Sequence, residues 1–222
     1  MTTFEYSNLS GRRPSPFVRM ASVLVPGVRR VQRQIGPYAA WWEDHNHAAL
    51  RADGPLWVVL GDSMSQGIGA SAPDRGWVGQ LMEDEFDYRV VNLSVSGGMI
   101  ADVTDRQIPT LRSLGVEPDL VTVMVGSNDL FNRRARAHLV DRATTMFPLL
   151  PDGAVVATLP QPRADAHEFN RRLIDSPHLE VAEYRDPRLR DWAGRLAEDR
   201  FHPNDAGYAA MAMIMREAID RR

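Results

Sequence analysis

No lysine occurs in this sequence: all 26 basic residues are arginines. The bias reads as GC-rich coding, and it excludes chemistry that runs through a lysine nucleophile or Schiff base. Cysteine is absent as well, which removes disulfides, thiol nucleophiles and thiolate metal sites and leaves no marker of redox compartment. No uninterrupted apolar run reaches bilayer length. The best apolar stretch near the N-terminus, Met20 to Val25, stops at Pro26 and leads into Arg29-Arg30 without a small-residue cleavage site. Arg12-Arg13 matches a twin-arginine signal only loosely. The expectation from these absences is a cytoplasmic protein. A formal net charge of −3 supplies no electrostatic footprint for nucleic acid. Internal repeats and low-complexity segments are also missing.

What is present suits one globular domain. With 222 residues, 44% hydrophobic and 25% charged, the chain can bury a sizeable core. Residues 1–54 read as a helical appendage and residues 55–222 as the main domain. The first fifty carry six arginines against three acids and no clear strand. Val28, Val31 and Ile35 recur at helical spacing, with Leu24 one turn earlier, so a short amphipathic helix is expected from about Pro26. A second is expected from about Pro37 to Arg51. Packing on the main domain is the ordinary fate of such helices. A basic face resting on anionic membrane through residues 17–35, or a flap over a site, is the sharper alternative.

From residue 55 strand and helix alternate. Apolar strand candidates cover 56–60, 89–93, 119–125 and 154–159, with a weaker one near 179–184. Helical patterns fall near 75–86, 101–114, 132–147, 164–175, 188–197 and 204–220. Near-continuous apolar strands separated by helices predict a parallel sheet covered on both faces.

Ser63 is the most informative residue. It stands in Gly61-Asp62-Ser63, directly after the run 56–60, where a strand delivers residues to the carboxyl edge of the sheet near the start of a helix. Gly-Asp-Ser is also an ordinary turn tripeptide, so a catalytic reading needs a base, because a lone serine hydroxyl is too weakly acidic to attack an ester. Among six histidines, His45 and His47 suggest a metal pair that no nearby ligand completes, and both read as surface residues. His138, His167 and His178 lack a distinctive setting. His202 differs: Pro203 makes it a helix boundary, Asn204 or Asp205 can cap the following helix, and Asp199 can curl back to the imidazole. Two further strand ends offer anion donors, the Gly97-Gly98 backbone and the Asn128 side-chain amide in Gly126-Ser127-Asn128-Asp129.

Gly61-Asp62-Ser63, Gly97, Gly126-Ser127-Asn128-Asp129 and Asp199-Arg200-Phe201-His202 follow the order of the four signature blocks of the GDSL-type, or SGNH, hydrolases, which the chain resembles over residues 56–210. The resemblance implies a three-layer α/β/α sandwich with about five parallel strands, of flavodoxin-like type. It implies Ser63 as nucleophile, His202 as base and then acid, and Asp199 as its orienting partner. It further implies an oxyanion hole from the Ser63 and Gly97 N–H groups and the Asn128 amide, and no cofactor or metal. Met64 stands where the family often has leucine. The implied activity is a serine esterase acting on small ester substrates of short- to medium-chain acyl type, with thioesters as a further class. An acyltransferase with the same triad, or a non-catalytic lipid- or carbohydrate-binding module on the scaffold, is the alternative. Met64, Met99, Ile100, Leu130 and Phe131 flank the blocks and suit an acyl chain, although core packing explains such residues equally well. Met211, Met213, Ile214 and Met215 read as core. Oligomeric state is not legible.

Overall fold

The computed structural model describes residues 4–12, 20, 22–83 and 87–222. The expected apolar runs form five strands, β1 (Leu56–Gly61), β2 (Arg89–Asn92), β3 (Leu120–Met124), β4 (Ala154–Ala157) and β5 (Leu179–Ala182). All pair in parallel, in the order β2-β1-β3-β4-β5. The chain therefore reverses its direction of winding between β1 and β3, and their carboxyl ends open the crevice where α/β sheets bind ligands.

Period-two alternation decides which residue enters which core. Leu56, Val58 and Leu60 of β1, with Val121 and Val123 of β3, point into one layer. Trp57, Val59, Leu120 and Met124 point into the other. The main α-helices among the described residues, in chain order, are α1 (Pro26–Gln32), α2 (Ile35–Ala49), α3 (Trp77–Glu83), α4 (Ile108–Ser113), α5 (Ser127–Phe131), α6 (Arg133–Arg136), α7 (Leu139–Met146), α8 (Ala164–Ile174) and α9 (Asp205–Ile219). Apolar residues of α4, α7 and α8 close the first layer, and those of α3 and α9 close the second. The result is the three-layer α/β/α sandwich with five parallel strands that the resemblance implies.

α2 packs along the exposed edge of β2. Trp42 is fully buried beside Trp57 and Trp77 in the second core, while Ala49 reaches the first. Asn46 supplies what a sixth strand would have given: its amide donates to Asn92 O at 2.8 Å and accepts from Asn92 N at 2.7 Å. An edge strand capped by a side-chain amide has no free ladder groups there to pair with another chain.

Three expectations need correction. Residues 188–197 are not an α-helix: after a 3₁₀ turn, Pro187–Leu189, the chain winds irregularly through Gly194 in the left-handed region (φ +69°). Asp191 accepts from Ala193 N, and Asn204 donates to the Gly194 and Leu196 carbonyls, so side chains take the backbone groups a helix would use. The stretch 132–147 is broken into α6 and α7. Ser63 lies in consecutive turns and not at a helix start, since glycines 61, 67 and 69 all take positive φ. In the appendage, Val31 is buried as expected, but Leu24 is 71% exposed. Residues 17–19 and 21 of the proposed membrane segment, Arg13, and residues 84–86 of one helix candidate lie outside the described residues.

Candidate active site

Each strand end brings one piece. β1 ends at Gly61, where Gln107 locks the exit: its side chain accepts from Gly61 N at 2.8 Å and donates to Gly61 O at 2.9 Å. Gln107 closes a π-helical turn, Val103–Gln107, leading into α4. The next residues turn so that the Asp62 carboxylate accepts from Met64 N at 3.0 Å, leaving Ser63 directed at the crevice.

His202 arrives from the opposite end of the chain. Ala197 N donates to His202 O at 2.8 Å and Asn204 N to Arg195 O at 2.9 Å, forming a narrow antiparallel loop. At its tip Arg200 takes φ +55°, the one positive value among the described non-glycine residues. Asp199 makes that tip possible, because one carboxylate oxygen accepts from both Phe201 N and His202 N at 3.0 Å. Its other oxygen lies 2.6 Å from His202 Nδ1, and His202 Nε2 lies 3.0 Å from Ser63 Oγ. Asn204 then caps α9 through Gly207 N, as expected. Burial pushes the Asp199 carboxyl up, but the His202 ring and the two backbone N–H groups outweigh it and hold the group below the usual range. A carboxylate kept ionised beside Nδ1 fixes the ring tautomer that leaves Nε2 free to accept a serine proton.

Across the crevice, Gly97 follows β2 and Asn128 opens α5 after β3. Among the described residues neither Ser63 N nor Gly97 N has a hydrogen-bond partner. Of the two glycines, Gly98 is engaged: its N–H donates to Val95 O at 2.9 Å. The Asn128 amide donates to Gly98 O at 2.9 Å and, more weakly, to Asp62 Oδ2 at 3.3 Å, so the three strand ends are tied to one another. Two free N–H groups beside a hydroxyl–imidazole–carboxylate chain can stabilise an oxyanion as it forms.

Asp62 carries no role in the sequence reading. It is 2% exposed and has its carboxyl raised to about 7, chiefly by burial, with Asp129 adding to the shift and Met64 N–H opposing it. Asp129 is buried too and shifted up by desolvation, with Ile100 N–H and Arg142 pulling the other way. No local signal could have marked Asp62, since an Asp in a Gly-Asp-Ser turn is ordinarily solvated.

An apolar cavity of about 330 Å³ opens beside the chain of polar groups, walled by Met64, Phe131, Leu159, Trp192, Phe201 and Met211. Met64 and Phe131 thus line a pocket, whereas Ile100 and Leu130 are core and Met99 borders a separate open groove beside Arg134 and Arg142. Met211 belongs to the pocket wall as well as to the core. His45 is half-buried against Trp41 and Trp42, not a free surface residue, and burial lowers its pKa.

A curated relative, Esterase TesA of Pseudomonas aeruginosa, is 36% identical over 93 residues, which are 40% of this chain and 45% of that protein. The match thus spans less than half of the curated relative. Among solved structures, the crystal structure of TesA superposes with a TM-score of 0.59 at 21% identity, covering 75% of this chain and 98% of that one. The psychrotrophic esterase EstA from Pseudoalteromonas, in a structure inhibited by monoethylphosphonate, gives 0.56 at 20% identity, covering 76% and 98%. The family profile itself matches residues 59–210, a span that runs from β1 into α9 and takes in every strand end described above. The chain belongs to the GDSL-like lipase/acylhydrolase family.

Proposed function

We propose that this protein is a serine esterase that hydrolyses carboxylic esters through an acyl-enzyme on Ser63. The observation that carries the reading is the continuous link of 3.0 Å from Ser63 Oγ to His202 Nε2 and 2.6 Å from His202 Nδ1 to Asp199. His202 takes the Ser63 proton as Oγ attacks the acyl carbonyl, and gives it to the departing alcohol or thiol as the ester bond breaks. It then deprotonates a water that cleaves the acyl–Ser63 bond and returns the proton to the serine. The Ser63 and Gly97 N–H groups, with the Asn128 amide, hold the negative oxygen of each tetrahedral intermediate. In that role the Asn128 amide gives up its weaker contact, the one of 3.3 Å to Asp62, to the substrate oxygen.

The apolar cavity supports an acyl group of short to medium length. Its Met64, Phe201 and Pro203 walls are sequence neighbours of Ser63 and His202, so a chain seated there leaves its carbonyl at the serine. A series of nitrophenyl esters and acyl-CoAs of increasing chain length, with a fluorophosphonate probe and Ser63→Ala as control, tests the proposal. The expected result is labelling and turnover by the native chain and neither by Ser63→Ala. A folded native chain that takes up no probe would favour a binding module.

Val23 and Leu24 are 77% and 71% exposed, close in sequence to the exposed Arg29 and Arg33. This combination supports reversible contact with anionic lipid. Co-sedimentation with phosphatidylserine liposomes should fall when Val23 and Leu24 are changed to serine and when salt is raised. Unchanged partition would sink the idea.

A further inference from the structure

Residues 4–12 precede the family match and form a strap along the end of β2. Tyr6 donates to Leu93 O. Asn8 donates to Asn92 O and Ser94 O, each at 2.8 Å, and its own carbonyl accepts from Gln66 at 2.8 Å. Arg106 grips the Ser7 and Leu9 carbonyls from the other side. Arg12 is the last described residue of the strap. Its guanidinium makes a two-pronged pair with Asp102, at 2.6 and 2.7 Å, and reaches the Gly97 carbonyl at 3.2 Å. Asp102 in turn accepts from Met99 N at 2.7 Å.

One ion pair therefore grips the turn 97–99 at both ends, the Gly97 carbonyl from Arg12 and the Met99 N–H from Asp102. The need for such a grip follows from the sequence of the turn. Gly97 sits at φ +72° with no atom within 4 Å of where a Cβ would be, so neither a side chain nor packing restrains it. Gly98 is already held, by its N–H on Val95 O and its carbonyl under the Asn128 amide, so the backbone freedom left in the turn is that of Gly97. An oxyanion donor lowers a barrier only when its direction is set before the charge develops.

We propose that Arg12 is a positioning residue: by holding the Gly97 carbonyl it restrains the backbone torsions at Gly97 and so, one peptide unit away, the direction of the Gly97 N–H toward the reacting oxygen. The proposal rests on the oxyanion reading above. A guanidinium fits the task because its planar fork holds the Asp102 carboxylate and the Gly97 carbonyl at once, which an ammonium cannot do with the same geometry.

The test uses the full chain, with active sites titrated by a fluorophosphonate so that kcat refers to folded enzyme. Arg12→Ala should lower kcat per titrated site about tenfold with KM nearly unchanged, a fraction of the loss from deleting a donor outright. A boronic acid, whose tetrahedral adduct on Ser63 presents an oxygen to the same donors, should inhibit more weakly by the same factor. Arg12→Lys should fall between, and it decides the matter if Arg12→Ala fails to fold. A merely structural Arg12 would instead lower Tm or the titratable fraction while kcat per site and boronate inhibition stayed within about twofold of the native values, and that result overturns the proposal. Asn128→Ala in the same assay separates the two failures. If Asn128→Ala loses turnover and Arg12→Ala does not, Arg12 alone is wrong; if neither does, the oxyanion reading falls and the proposal with it.

Discussion

Gly69 and His202 are packed too closely for any side chain to come between them. A Cβ on Gly69 would stand 2.6 Å from His202 Cβ and 2.5 Å from the Pro203 carbonyl oxygen. The loop cannot retreat, because Gln34 holds Gly69 N and Ala70 O, Tyr38 holds Ala70 O, and Tyr208 holds Ile68 O. Gly69 moreover has φ +100°, which L side chains rarely adopt. Gly69→Ala is expected to destabilise by more than about 1 kcal/mol. It should also push His202 away from Ser63, lowering turnover about tenfold or more, since small misplacements of reacting groups are costly. Thermal unfolding and kcat per titrated site check both effects; native values for both would show that the contact is slack.

Asp199→Asn keeps a carbonyl oxygen able to accept from Phe201 N and His202 N, so the loop tip should survive. What it loses is the negative acceptor for Nδ1–H, and an amide N–H facing Nδ1 favours the wrong tautomer. Turnover should drop by about 10³- to 10⁴-fold while Tm changes little. A small kinetic effect would mean that Asp199 serves the turn alone.

The buried Asp62 makes stability depend on pH in a particular direction. Its folded pKa of about 7 lies above the ordinary 3.8, so between those values the folded chain holds a proton that the unfolded chain has lost. Stability from this group is thus fully present below about pH 4 and declines as pH rises toward 7. Asp199, shifted down, acts oppositely: its contribution is present above the unfolded pKa and lost as pH falls through the folded one. Asp62→Asn should therefore flatten the decline between pH 4 and 7 and raise Tm at pH 8 by a few degrees, where each ~1 kcal/mol corresponds to about 2–4 °C. Calorimetry across that range measures it, and an unaltered slope would show that Asp62 is ionised in the fold.

Trp42 joins the N-terminal helices to the crevice. It is fully buried, and its indole N–H donates to Gln66 O at 3.1 Å. Gln66 also holds Ser94 O and Ser96 near Gly97. Trp42→Ala should cost about 3–5 kcal/mol. Trp42→Phe, which keeps most of the apolar bulk and strands the Gln66 carbonyl, should cost about 1–3 kcal/mol. Urea unfolding of both variants compares the packing and hydrogen-bond parts. Equal, small losses would show that α2 is dispensable.

The five strands were legible because each is a short apolar run with nowhere to go but a sheet buried on both faces. The order of Ser63, Gly97, Asn128, Asp199 and His202 was legible because each sits in a short block at a strand or helix end. Tertiary structure alone decided the rest. Residues 188–197 carry a helical pattern, yet Gly194 and the side chains of Asp191 and Asn204 take over the backbone, and that competition needs Asn204 brought beside Gly194. The Gly69 contact with His202, the Arg12 grip on Gly97 and the burial of Asp62 join groups far apart along the chain, mostly through backbone atoms that every residue possesses. Periodicity and motif spacing report which face a residue presents to its neighbours in sequence. Which backbone carbonyl a distant arginine meets, and how much water a carboxylate keeps, exist only once the layers have closed.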